Sequence, residues 1–317
     1  MTLGYTRPLY PLPFDHRNSY VSGMFQYEPP LTAERHDNVA DSKRVIYEGF
    51  ARALSEGFAR ALSGNVPPRS AGILVDEQFG ADILRDAKSH GYVIALSTEQ
   101  SGSDEFEFEY GSEFAEHIEA FKPTFAKVLV RYNPEGDAAL NRRQAQRLKR
   151  LSDYCRTANQ LFMFELLVPA TEAQLDRVQS DKKQYDRQLR PDLMLQSIRA
   201  LQDAGVEPDV WKIEGLDQRE DCERIVDAAR REGRDEVACI VLGRGADQDR
   251  VVSWLETAAR VPGFIGFAVG RTTFWDAVAD YVAGRATRQQ AAARIAERFQ
   301  KWVATFETAR AARLQAV

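Results

Sequence analysis

Apolar residues along this chain gather in short runs separated by polar, periodic stretches. Eight runs rich in β-branched, aromatic or leucine side chains stand out: Leu9–Phe14, Gly72–Val75, Tyr92–Leu96, Ala126–Tyr132, Leu161–Val168, Val210–Ile213, Ala238–Leu242 and Phe264–Val269. Between them, apolar positions recur three or four residues apart, the spacing of a helix that buries one face. Such stretches cover Gly80–His90, Glu113–Phe121, Ala138–Ala158, Asp192–Ala204, Arg219–Arg231 and Arg250–Ala259. Strand–helix alternation implies parallel strands with right-handed crossovers. An open doubly wound sheet usually has about five to seven strands, whereas eight units close into a barrel. The expected fold is α/β, a single (β/α)₈ barrel (TIM barrel) domain over residues 1–317.

Three segments depart from the repeat. Glu48–Ser55 and Glu56–Ser63 both read EGFARALS. A solenoid needs a period of roughly 20 to 50 residues, so the doublet reads as a local duplication that lengthens the first helix by about two turns. Glu28–Asp41 is polar with paired prolines and reads as a loop over the barrel mouth or a subunit contact. Thr287 followed by Gln290 starts a capping box. The alanine-rich helix after it, to about Ala311, is expected to extend the chain along the outside of the barrel.

Composition narrows the function classes. With 44% hydrophobic and 28% charged residues the chain reads as an ordinary globular protein. No apolar run approaches the roughly 18 to 20 residues of a membrane helix. The N-terminus lacks the basic-then-apolar layout of a signal peptide. Cys155, Cys222 and Cys239 lie far apart with no CxxC pair, which suits a reduced cytoplasm. A net charge of -5 and the lack of a basic stripe interleaved with aromatics argue against nucleic acid. His16, His36, His90 and His117 form no HxH or HExxH pair, which argues against a zinc-dependent aldolase or hydrolase. No metal or cofactor is expected, and a homo-oligomer stays open.

The chemistry shows as charge where a strand should be apolar. In Val-Trp-Lys-Ile-Glu-Gly (210–215), Trp211 and Ile213 share one face, and Lys212 and Glu214 share the other. With the apolar pair against the helices, Lys212 faces the barrel interior, where a lone lysine is costly without partners or a task. Glu165 on the fifth run, Lys127 on the fourth and Glu214 are available partners. One task is imine formation, which needs the neutral amine and so a pKa brought down from about 10.4. Burial and a second cation, Lys127, act in that direction. Glu165 is then expected to serve as general acid and base once burial lifts its own pKa. The alternative is a buried ion network that ties strands together.

A second constellation lies after the seventh and eighth runs, at Gly243-Arg244-Gly245 and Gly270-Arg271-Thr272. Loops at those places in barrels commonly hold phosphate. Glycine lets backbone N–H groups approach an anion, and arginine adds bidentate hydrogen bonds. Plain turns with solvated arginines are the alternative. Asp15 and Arg17 end the first run, and Thr98-Glu99-Gln100-Ser101-Gly102 follows the third; turn chemistry alone explains both clusters equally well.

These residues also carry a family resemblance. FDHR at 14–17, KVLVRYNPEGD at 127–137, FELLVP at 164–169, WKIEG at 211–215 and AVGRTTFWDAV at 268–278 resemble the aldolase-like barrel domain of bacterial inositol catabolism. That domain occurs alone or fused to a sugar kinase. The resemblance spans nearly the whole chain, and GRTTFWDAV…GRATRQQAAARIA is its most specific part. More distantly the chain is similar to class I tagatose-bisphosphate and sulfofructose-phosphate aldolases, departing from them at Gly243-Arg244-Gly245. The resemblance implies Lys212 as Schiff-base lysine, with Lys127, Glu165 and Asp15 as its catalytic companions and Gly270 and Arg271 on phosphate. It implies cleavage of 2-deoxy-5-keto-gluconate 6-phosphate to dihydroxyacetone phosphate and malonate semialdehyde. Arg244 joins Arg271 as an expected phosphate ligand, and Arg17 or Arg131 is a candidate for the substrate carboxylate. The alternatives are a class I aldolase for another phosphorylated ketose, and a non-catalytic barrel that binds a sugar phosphate.

Overall fold

The computed structural model describes residues 2–56 and 68–315. Its strands are β1 (Tyr10–Pro13), β2 (Ala71–Val75), β3 (Val93–Ser97), β4 (Phe125–Arg131), β5 (Leu161–Leu167), β6 (Val210–Glu214), β7 (Ala238–Leu242) and β8 (Phe264–Ala268). They form one parallel sheet in sequence order. Each expected strand is present, with ends that agree to within one residue. Leu9 closes the barrel: its N–H donates to the Ile265 carbonyl at 3.0 Å, and its carbonyl accepts from Phe267 N–H at 3.1 Å. A Cβ on Gly266 would lie 1.7 Å from the Leu9 oxygen. Only glycine lets the first strand come this close to the last.

Around the barrel run α1 (Ala33–Glu56), α2 (Glu77–Ser89), α3 (Phe114–Phe121), α4 (Ala138–Ala158), α5 (Arg190–Asp203), α6 (Arg219–Arg230), α7 (Gln248–Ala259), α8 (Arg271–Val282) and α9 (Arg288–Gln315), with shorter helical turns between. The segment expected to be a loop over Glu28–Asp41 is one only as far as Thr32. Thr32 Oγ1 then accepts from Arg35 N–H at 3.3 Å and α1 begins. Its first turns expose Glu34, Arg35 and Asp37, and the buried stripe starts at Val39, which is why the apolar period is invisible before that residue. The first EGFARALS copy lies within α1; the second, beyond Glu56, falls outside the described residues.

The capping box opens α9 as expected. Thr287 N–H donates to Gln290 Oε1 at 2.8 Å, and Gln290 N–H donates to Thr287 Oγ1 at 3.2 Å. The helix packs outside the barrel, where a Cβ on Gly49 of α1 would come within 2.6 Å of Ile295. Trp302 Nε1 donates to Thr273 Oγ1 at 3.0 Å, tying α9 to α8. Among the described residues no helix is long and apolar enough to cross a membrane.

Alternate side chains of each strand face opposite layers. Phe162, Phe164, Leu166, Trp211 and Ile213 point out into the apolar layer beneath the helices. Phe125, Met163, Val210, Leu9, Leu74, Ala95, Ile240 and Ala268 plug the interior. Two residues further along three of those strands, the same inward positions carry Lys127, Glu165 and Lys212. The barrel therefore has an apolar lower half and a charged floor above it.

Candidate active site

Lys127 is the hub of that floor. Its Nζ lies 2.7 Å from Asp15 Oδ2, 2.8 Å from Glu99 Oε1 and 2.8 Å from Glu165 Oε2, and the side chain is fully buried. Burial opposes the charge, but Asp15, Glu165 and Glu99 outweigh it and hold the ammonium well above the ordinary lysine range. Lys212 has simpler surroundings. Its Nζ lies 2.8 Å from Glu165 Oε2, and its side chain lines the cavity above, which Lys127 does not reach. Glu214, an expected partner of Lys212, is not one: its Oε1 lies 2.8 Å from Arg244 Nε, and its Oε2 accepts from Val168 N–H at 3.0 Å. Two residues along a strand move it up from the floor, where it faces the rim.

Glu165 bridges the two lysines. Burial pushes its carboxyl up, but Lys127 and then Lys212 outweigh this and hold it below the usual carboxylate range. The expectation that burial would lift it is thereby corrected; two ammonium groups at 2.8 Å decide the sign. Asp15 behaves alike, with burial opposed by Lys127, Lys212 and His16, and its carboxyl is held well below the usual range. Both are bases at neutral pH.

The cavity above measures about 320 Å³. On its β7–β8 side lie Arg244, Gly245, Gly270 and Arg271. Gly270 caps α8, and a Cβ there would sit 2.5 Å from the Pro13 carbonyl, so this glycine lets the α8 N-terminus sit against β1. Arg271 follows in the first turn. Its Nη2 donates to the Arg244 carbonyl at 3.4 Å, and among the described residues no carboxylate lies within ion-pair distance of it. Arg244 differs: Glu214 at 2.8 Å and Asp186 at 2.6 Å already take its guanidinium. Gly243 packs against Val269 rather than lining the cavity. Gly245 does line it, at φ +69°, where a Cβ would come within 2.8 Å of the Arg271 guanidinium.

The chain after β1 lies beside that side, and the wall across from it is built by the chain after β3 and the end of β4. Arg131 lines it, exposed, with Nη1 donating to the Ser103 carbonyl at 3.2 Å. Arg17 is buried, paired with Glu109 at 2.8 Å and donating to the Glu99 carbonyl, so its charge is largely taken. Two lining residues were not singled out from sequence. Glu99 reaches Lys127 because the chain after β3 folds back, with Gln100 N–H donating to the Glu107 carbonyl at 2.8 Å. His16 sits beside Asp15, its imidazole pushed down to about 4 by burial, with Arg271 adding to the effect against the pull of Asp15. Both stood in polar clusters that turn chemistry explained equally well. Among the described residues no group of histidine, cysteine and carboxylate side chains is arranged to hold a metal ion.

Residues 6–310 match the family described as "Uncharacterized protein conserved in bacteria (DUF2090)". The chain belongs to this family. No curated protein matches it by sequence. Among solved structures it is similar to a fructose-bisphosphate aldolase from Plasmodium falciparum, with TM-score 0.61, 11% identity, and 96% of this chain and 98% of that one covered. An archaeal fructose 1,6-bisphosphate aldolase gives TM-score 0.55 at 12% identity, covering 94% of each chain. A protein of Corynebacterium glutamicum gives 0.52 at 19%, covering 94% of this chain and 88% of that one. At these identities the likeness is one of fold, the (β/α)₈ barrel.

In this DUF2090 member the arrangement offers one lysine open to a cavity, an ionised carboxylate against it, and a second lysine locked as an ammonium beneath. An arginine at a helix start, with no carboxylate in ion-pair distance among the described residues, stands on the β8 side.

Proposed function

We propose that the protein is a class I aldolase acting on a phosphorylated keto sugar acid through an imine on Lys212. One observation carries this reading: of the two floor lysines, three carboxylates cage Lys127, whereas Lys212 pairs with Glu165 alone among the described residues and opens to the cavity. A lysine attacks a ketone as the amine, so it needs a neighbour to take its proton and space for the carbonyl. Glu165, held ionised, is that neighbour. The aldolases among the similar folds and the motifs at 127–137 and 211–215 agree with the chemistry.

With 2-deoxy-5-keto-gluconate 6-phosphate, Lys212 condenses with the C5 ketone and water leaves. Glu165, or a water it holds, takes the proton of the C3 hydroxyl. The C3–O bond becomes a carbonyl, the C3–C4 bond breaks, and its electron pair moves into the C4–C5 enamine, neutralising the iminium nitrogen. Malonate semialdehyde departs. Protonation of C4 and hydrolysis then release dihydroxyacetone phosphate and restore Lys212. Arg271, with Gly270 and the first N–H groups of α8, suits the phosphate. Arg131 suits the carboxylate better than Arg17, whose guanidinium is already bound. Lys127 fixes the position of Glu165, and Asp15, which lines the cavity, suits a substrate hydroxyl.

Borohydride reduction in the presence of dihydroxyacetone phosphate should add one covalent mass, mapping to the peptide that holds Lys212. An adduct on Lys127 would reverse the two roles. No adduct would leave a sugar-phosphate-binding barrel.

A further inference from the structure

Three carboxylates meet at Lys127, but they are not equivalent. Glu165 shares its oxygen between two ammonium groups, and Asp15 stands within the field of both. Glu99 has one. Its Oε1 lies 2.8 Å from Lys127 Nζ, while its Oε2 is buried with no hydrogen-bond partner among the described residues. Glu99 is 8% exposed, and it lines the cavity between the floor and the wall that carries Arg131. A buried carboxylate oxygen with no donor is costly as an anion, and the cost falls when that oxygen carries the proton. The oxygen is then a donor that needs an acceptor.

We propose that Glu99 is a further binding group of this site: substrate draws its carboxyl round toward the cavity that the side chain lines, and Oε2–H then donates a hydrogen bond to an oxygen of the substrate half remote from the phosphate. The inference rests on the aldolase reading for the identity of that substrate. The electrostatics agree with it. Burial, with Asp15 close by, pushes the Glu99 carboxyl above the usual carboxylate range against the pull of Lys127 and Arg17. The charged groups that surround it are Lys127 on β4, Asp15 and Arg17 after β1, Glu165 on β5, Lys212 on β6, and Glu109 on the returning arm that Arg17 holds. A neutral Glu99 also spares a substrate carboxylate the repulsion that a third anion in the floor would exert. The role is binding and positioning; no bond to carbon changes at Glu99.

The test compares wild type with E99L and E99Q. Glutamine keeps an oxygen for Lys127 and an N–H where Oε2–H stood. Removing a buried hydrogen bond to substrate should lower kcat/KM for cleavage of 2-deoxy-5-keto-gluconate 6-phosphate about ten- to a hundred-fold in E99L. E99Q should recover all but a few-fold of that. In the wild type kcat/KM should fall as pH rises through the raised Glu99 pKa, because the donor is lost, and E99Q should lack that limb. Borohydride trapping of dihydroxyacetone phosphate, which has no remote half, should fall less in E99L than cleavage does. Infrared difference spectra of ligand-free wild type minus E99Q at pH 7 should show the carbonyl stretch of a protonated carboxyl. If that band is missing, or E99Q is as impaired as E99L, the proposal is wrong, and Glu99 serves as an anion that balances Lys127. The spectrum needs no substrate. It therefore stands apart from the aldolase reading, which fails instead on a missing imine in the wild type, and it applies even if E99L does not fold.

Discussion

Two of the buried lysine–carboxylate pairs of this barrel stand in opposite settings. Lys43 of α1 pairs with Asp76 at the start of α2, both nearly inaccessible. The rings of Tyr20 and Phe79 cover Lys43, with centroids 5.6 and 5.3 Å from Nζ. Asp76 also caps α2, accepting from Phe79 N–H at 2.9 Å. Neither side chain lines the cavity above the floor. Lys212 and Glu165 pair at 2.8 Å under a cavity of about 320 Å³, and Glu165 keeps a second cation, Lys127, at the same distance. A buried charge alone does not mark a reactive group. What separates the two pairs is the space beside the amine and a carboxylate that stays paired when the amine leaves it.

Neutral replacements should break the comparison in opposite ways. K212M should abolish turnover and imine trapping. Its cost in stability should be small for a buried pair, because Glu165 retains Lys127. K43M leaves Asp76 buried with no cation within ion-pair distance among the described residues, Arg17 acting on it only from farther off, and breaking such a pair costs about 3 to 5 kcal/mol. The denaturant midpoint should drop accordingly, while the folded fraction still forms the imine. If K212M unfolds and K43M is inactive yet stable, the assignments are reversed.

The rim sharpens the same contrast at lower amplitude. Among the described residues Arg271 has no carboxylate partner, whereas Glu214 and Asp186 hold Arg244. Arg271→Ala should weaken binding of dihydroxyacetone phosphate about ten- to a hundred-fold, the value of a charge-assisted bidentate contact. Dihydroxyacetone without phosphate should bind poorly and hardly distinguish the variant from wild type. Equal losses for both ligands in a titration would make Arg271 structural.

The strands were legible because β-branched runs and their polar spacers repeat eight times, and alternation then set Lys212 and Glu165 inward. Several features were not. The start of α1 hid behind prolines and an exposed polar turn. Glu99 was visible only as part of a polar loop, since its contact with Lys127 depends on the fold-back after β3. The direction of the Glu165 pKa was read as upward because sequence shows burial more readily than the distance to two ammonium groups. Glu214 was grouped with Lys212 by face, but a shared face does not mean a shared depth in a barrel.

The sealed layer supplies the smallest effect, and a sensitive one. Cys155, Cys222 and Cys239 are free and buried. Burial pushes all three thiols up, Cys222 and Cys239 to about 12. Near pH 8, on the order of one in 10⁴ of such thiols is thiolate, the reactive form, and the helix layer blocks approach as well. Iodoacetamide should therefore leave the native protein unlabelled and its activity unchanged, while unfolding in denaturant should expose all three to alkylation. Mass spectrometry reads both states directly. A native adduct on Cys239 would be the informative exception, because that residue lies on β7 facing the helices. To be reached it needs α6 or α7 to lift from the barrel. Such opening would undo the contrast between a sealed outer layer and an open inner site. It would also predict that K43M, whose pair sits in the same layer, weakens the protein by less than a static buried pair requires.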